Sequence, residues 1–137
     1  MIVFDASSLV GAALKRDSIP TQALLHARHN DLIAISDETE AEIIEVLNRP
    51  KFLRGIEPSQ RALVLALLIG ASARFTPSVP MTDCRDAKDN KYLELALAAA
   101  ATIIVSSDDD LLYLSPWRHI LILRPANYLA KMTHPRE

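Results

Sequence analysis

Four acidic residues lie far apart in the chain, at places where acid needs an explanation. MIVFDASSLV carries Asp5 directly behind a run of β-branched and aromatic residues, and TIIVSSDDDLL delivers Asp108 in the same way. A carboxylate taken out of water beside a core costs about several kcal/mol unless something compensates it. Glu42 stands in DETEAEIIEVLNRP, next to the apolar stripe of Ile43, Val46 and Leu47, and so borders the buried side of a helix. Asp89, in CRDAKDNKYLELALAAAA, falls where a loop becomes a helix. Each has a plainer role when taken singly: Asp5, Asp89 and Asp108 as helix caps, Glu42 as solvated surface. Taken together they suggest a shared site, because two strands bring carboxylates to the same end of one sheet.

Convergence would make repulsion the dominant fact. Two unit charges ~4 Å apart at an effective dielectric of 20 repel by about 4 kcal/mol, so four carboxylates require either raised pKa values or a cation among them. Hard oxygen donors without neighbouring His or Cys favour Mg²⁺ or Mn²⁺ over zinc. Other chemistries find little support. His26, His29, His119 and His134 form no HExxH, the three glycines make neither a P-loop nor GxGxxG, and Ser7, Ser8 and Cys84 lie in no nucleophile motif. A metal-activated water is the reaction left.

The elements that must place these acids are short. IVF (2–4), LIAIS (32–36), TIIVS (102–106) and HILIL (119–123) are continuous apolar runs, as expected of strands buried on both faces of a parallel sheet, and ARFTP (73–77) adds a fifth. Helices are expected over Thr21 to Ala27, over Asp37 to Leu47 with a stop at Asn48 and Pro50, from Pro58 to about Ala73 with Ser59 as N-cap, and over Asp89 to Ala100. Alternating strands and helices predict an α/β fold, a three-layer α/β/α sandwich on a mainly parallel sheet of about five strands. Ligands in such sheets bind beyond the carboxyl ends of the strands, where Asp5 and Asp108 fall.

With 137 residues, 50% hydrophobic and 23% charged, the chain reads as a single globular domain over 1–137. A net charge of −2 gives no basic field for nucleic acid, so any such contact needs a local patch. Basic candidates are Lys15 with Arg16, the group Arg49, Lys51 and Arg54, and Arg85 with Lys88 beside the acids. Tyr92, Trp117 and Tyr128 read as core or interface. The single cysteine excludes an internal disulfide and fits a cytoplasmic location, and no secretory leader pattern is present. The longest apolar run, Ala62 to Ala71, is shorter than the roughly 20 residues of a membrane span.

The ordered motifs DASSLV, ETEAEIIEVLNRPKF, CRDAKDNKYLELALAAAA and IIVSSDDDLL together resemble the PIN-domain ribonucleases, most closely the VapC-type toxins of toxin–antitoxin pairs. The resemblance spans nearly the whole chain. It implies five parallel strands and a Mg²⁺- or Mn²⁺-dependent endoribonuclease, with Asp5, Glu42, Asp89 and Asp108 as catalytic metal ligands and Asp110 supporting them less directly. Ser7 would hold a water or a phosphate oxygen; apart from the resemblance, the charge of Arg85 and Lys88 beside the acids makes them the candidates to meet substrate. The resemblance also implies an RNA substrate, a cognate antitoxin that blocks the acidic pocket and a possible homodimer, with no membrane association. The Thr-x-Asp usual before the last acids is here Ser106-Ser107-Asp108, which keeps the hydroxyl. Two other readings stay open: a catalytically silent module that binds RNA or protein, and an aspartate-dependent phosphatase with Asp5 as nucleophile.

Overall fold

The computed structural model describes residues 1–70 and 72–133. Five strands, β1 (Ile2–Phe4), β2 (Ala34–Ile35), β3 (Ala73–Arg74), β4 (Ile103–Val105) and β5 (Leu121–Leu123), all pair in parallel. They form two ladders, β1-β4-β5 and β2-β3, rather than one continuous five-stranded sheet. A lone parallel bridge, Ile2 to Ile33, joins the ladders edge to edge. The Ile2 N–H donates to Leu32 O at 2.9 Å at this bridge, while Ala34 and Ile35 pair with β3 instead. Strand β2 ends where Ser36 turns to build a reciprocal capping box with Thr39.

Successive strand residues face opposite layers, as the two-residue period of a strand requires. Ile2, Phe4, Ile33, Ile35, Ile103 and Val105 pack into one core with α1 (Ala6–Leu14), α2 (Ile19–Asn30), α3 (Asp37–Leu47), α5 (Pro58–Ile69) and α8 (Pro125–Thr133). Val3, Ala34, Ile104 and Ile122 face a second core with α6 (Asn90–Ala98), Leu111 and Trp117. The architecture is thus the expected three-layer α/β/α sandwich. Close packing of the first layer uses Gly11, where an added Cβ would stand 3.0 Å from the Pro20 ring. No helix among the described residues is long and apolar enough to cross a membrane.

Several boundaries differ from expectation for identifiable reasons. The helix expected to continue to about Ala73 ends at Ile69, with Gly70 as its C-cap, and Ala73 already belongs to β3; Ala71 lies outside the described residues, as does His134. Its N-cap is Glu57 rather than Ser59, because Pro58 occupies the first helical position and the Ser59 hydroxyl donates to Glu57 Oε1 at 2.8 Å. Pro50 ends α3 but also opens a one-turn helix, α4 (Pro50–Leu53). The last strand starts at Leu121, not His119, since Arg118 and His119 both take left-handed conformations in a tight turn closed by Trp117 and Ile120. Helix α6 stops at Ala98, and Ala100 adopts φ 52°. Helix α8 was not anticipated, although Pro125, Tyr128, Leu129 and Met132 form its apolar stripe.

Candidate metal centre

Asp5 ends β1, with its N–H still donating to Val105 O across the ladder at 3.2 Å. Its dihedrals are those of an N-cap, and Oδ1 accepts from the Ser8 N–H at 3.0 Å, so the capping role is real. The side chain does more than cap, however. Oδ2 accepts from Ser106 Oγ at 2.6 Å, and Ser7 Oγ lies 2.8 and 2.9 Å from the two carboxylate oxygens. Burial raises the Asp5 pKa, and the hydroxyls of Ser106 and Ser7 with the Ser8 amide pull it back.

Ser106 also accepts from the Asp108 N–H at 2.9 Å, and Ser7 from the Ser107 N–H at 3.0 Å. These bonds lock the end of β4 to the end of β1. Asp108 then caps the short helix α7 (Asp109–Leu112), its Oδ1 accepting from the Asp110 N–H at 2.9 Å. The hydroxyl retained in place of the familiar threonine therefore fastens one acid and aims the next.

Asp89 behaves differently. It ends a 3₁₀ turn, Ala87–Asp89, leading into α6, yet its side chain caps nothing there. The residue is 5% exposed, and Oδ2 is buried without a hydrogen-bond partner. Burial, then the neighbouring Asp108 carboxyl, push its pKa up to about 7. A buried carboxylate oxygen without a donor is costly, and a cation is the partner that would satisfy it.

Asp5, Glu42, Asp89 and Asp108 all line one pocket of about 290 Å³, together with polar Ser7, Lys88, Arg49 and Tyr92 and apolar Val10, Val46 and Phe52. The chain thus brings together four acids spread over more than a hundred residues. Glu42 is held apart from the other three in one respect: Tyr92 donates to its Oε1 at 2.5 Å and Lys91 Nζ contacts its Oε2 at 2.7 Å. Among the described residues no three His, Cys, Asp or Glu side chains already stand at metal-ligand spacing. The all-oxygen donor set and the orphaned Asp89 oxygen nonetheless fit a hard divalent cation.

Asp110 and Arg85 stand outside the lining, paired with each other at 3.2 Å, and the Arg85 guanidinium covers the Tyr113 ring at 4.3 Å. Lys88 is at the rim, 3.7 Å from Asp86. Tyr92, Trp117 and Tyr128 are buried, in line with a core role, but Tyr92 is also part of the pocket. Its hydroxyl accepts from the Ala6 N–H at 3.2 Å while donating to Glu42. Sequence reasoning missed Lys91 and this use of Tyr92. The signal was available, since Tyr92 follows Asp89 by one helical turn and must share its face.

The family model of the PIN domain matches residues 1–110. The chain therefore belongs to the PIN domain family. Among solved structures, a chain of VapBC2 from Rickettsia felis bound to a DNA fragment from its promoter superposes with a TM-score of 0.55 at 16% identity, covering 89% of this chain and 97% of that one. FitAcB from Neisseria gonorrhoeae gives 0.51 at 12% identity, covering 92% and 99%. Both likenesses concern the fold. Among curated proteins no relative matches the sequence.

Proposed function

We propose that this chain is a Mg²⁺- or Mn²⁺-dependent endoribonuclease and the toxin of a toxin–antitoxin pair, acting in the cytoplasm. The observation that carries the reading is Asp89: a buried carboxyl with one unpartnered oxygen, facing Asp108 in a pocket that also contains Asp5 and Glu42. PIN-family membership and the fold shared with VapBC2 and FitAcB support the same assignment.

In this reading Asp5, Asp89 and Asp108 hold the cation, with Glu42 completing the acidic wall and Asp110 steadying the turn beneath Asp108. A bound divalent ion supplies a nucleophilic water at neutral pH and neutralises charge on the phosphate. The chain contributes position. Ser106 and Ser7 fix the Asp5 carboxylate, so its oxygens need no reorganisation when substrate arrives. Lys88 and Arg49, which line the pocket, would meet substrate phosphates. Arg85 meets the strand further out. The antitoxin inserts a basic side chain among the acids, and a homodimer presents two such pockets.

Incubating single-stranded and structured RNA with the protein and Mn²⁺ or Mg²⁺, then with EDTA, tests the assignment. Cleavage that stops with EDTA and is lost in Asp5→Asn supports it; cleavage indifferent to both refutes it. The silent-module reading has one observation in its favour, the occupation of Glu42 by Lys91 and Tyr92. It expects Mn²⁺ uptake without turnover, or no uptake. Phosphoryl transfer to Asp5 expects a trapped phospho-aspartate, and nothing in the pocket favours it.

A further inference from the structure

Lys91 and Tyr92 are consecutive residues of α6, and between them they engage both oxygens of Glu42, which reaches over from α3 some fifty positions earlier. The ion pair is well sheltered, with the Lys91 and Glu42 side chains 19% and 15% exposed, unlike the open surface pairs Arg16–Glu57 and Arg49–Glu45. The same Tyr92 hydroxyl accepts the N–H of Ala6, the residue after Asp5, so the clamp is anchored to the floor of the acid pocket. Asp89, one turn before Tyr92 on the same segment, has an oxygen with no partner. Among the described residues Glu42 thus has a resident cation, and Asp5, Asp89 and Asp108 have none.

We infer that Lys91 is a positioning residue that acts as the built-in counter-cation of Glu42, holding it off a divalent ion and lowering the affinity of the pocket for that ion. The inference rests on the metal-dependent reading above. Its physical basis is that an ammonium and a divalent cation on one carboxylate lie within a few ångströms of each other and repel, so Glu42 serves one fully or both poorly. Tyr92, neutral and buried, limits where Glu42 can turn once it is released. Glu42 would then be a reserve ligand, while Asp5, Asp89 and Asp108 carry the ion.

The test is calorimetric titration of the full chain with Mn²⁺ alone, with no RNA present. Lys91→Met is expected to bind Mn²⁺ about tenfold more tightly than the wild type, Lys91→Arg to bind like the wild type, and Glu42→Gln in the Lys91→Met background to cancel the gain. Should Lys91→Met fail to fold, Lys91→Gln keeps a polar group at that position and carries the same expectation. Unchanged or weaker binding in the neutral variants overturns the inference and leaves the nuclease reading standing. A wild type that takes up no Mn²⁺ overturns both. A purely structural ion pair would lower the melting temperature of Lys91→Met without tightening the metal, which also overturns it.

Discussion

At the scale of the residue, Asp89 has the most consequential environment. Its pKa is raised from 3.8 to about 7, chiefly by burial and then by Asp108. The proton is retained in the folded state and lost in the unfolded one between these values, so the stabilising contribution is complete below about pH 4 and disappears as pH rises through about 7. Urea denaturation in EDTA should therefore give a more stable protein at pH 5 than at pH 8. Asp89→Asn should flatten that dependence and gain about 1–2 kcal/mol at pH 8, after allowance for solvent screening. An unchanged slope in the variant would remove Asp89 as its source. A divalent ion must displace the same proton, so Mn²⁺ affinity in the wild type should rise between pH 6 and pH 8 by about tenfold, with proton release visible as buffer-dependent heat.

Ser106 is the second residue whose removal should be informative. It donates to Asp5 Oδ2 and accepts from the Asp108 N–H, both in the interior of the site. Ser106→Ala leaves a buried carboxylate oxygen and a backbone donor short of partners, at a cost of about 1–3 kcal/mol in denaturant unfolding. Ser106→Thr keeps the hydroxyl and should recover most of that loss.

At the scale of the element, local chemistry decides where each acid is presented. Ser36 and Thr39 cap α3 reciprocally, fixing the start of the helix that carries Glu42. Ser36→Ala should cost about 0.5–2 kcal/mol in denaturant unfolding. At the other end of α6, Ala100 holds φ 52° in an exposed position just past the helix. Left-handed backbone is strained for alanine and free for glycine, so Ala100→Gly should stabilise the protein by about 1 kcal/mol, read from the urea midpoint at constant slope. A destabilised variant would mean that the turn is not the strained point.

These elements also show what a reader of the sequence could and could not see. Helix α3 was legible to its ends, because the apolar stripe and the stop at Asn48 and Pro50 agree with one another, although its N-cap Ser36 reads in the sequence as the last residue of a strand. Strands β1 and β4 were legible as apolar runs ending in acid. The break between the two ladders was not, since an apolar run marks a strand without saying how far it pairs with each neighbour. The turn at Arg118 and His119 was hidden because His119 heads an apolar run that reads as strand, and non-glycine residues at positive φ are uncommon. For the candidate site, carboxylates could be placed on elements by spacing, but the orphaned Asp89 oxygen and the Lys91–Glu42 pair are properties of packing between distant segments.

At the scale of the whole molecule, two cores on opposite faces of the sheet meet at the carboxyl ends of β1 and β4, and the pocket opens there. Each strand contributes two or three residues to pairing, so the ladders alone are short. Packing of helices on both faces holds them, and the acids at their ends inherit that rigidity. Under the proposed nuclease reading, a net charge of −2 means that RNA affinity should come from few phosphate contacts near Arg49, Arg85 and Lys88, and its logarithm should fall against log salt with a slope of only about −2 to −3. A much steeper slope would point to a basic surface elsewhere.

The central claim is that folding gathers Asp5, Asp89 and Asp108 around one divalent ion. Crystals grown with Mn²⁺ test it most directly, through the anomalous difference map. A peak bounded by those three carboxylates, absent from Asp89→Asn crystals, is the expected result; a well-ordered pocket with no peak, or a peak away from Asp89, would contradict the account.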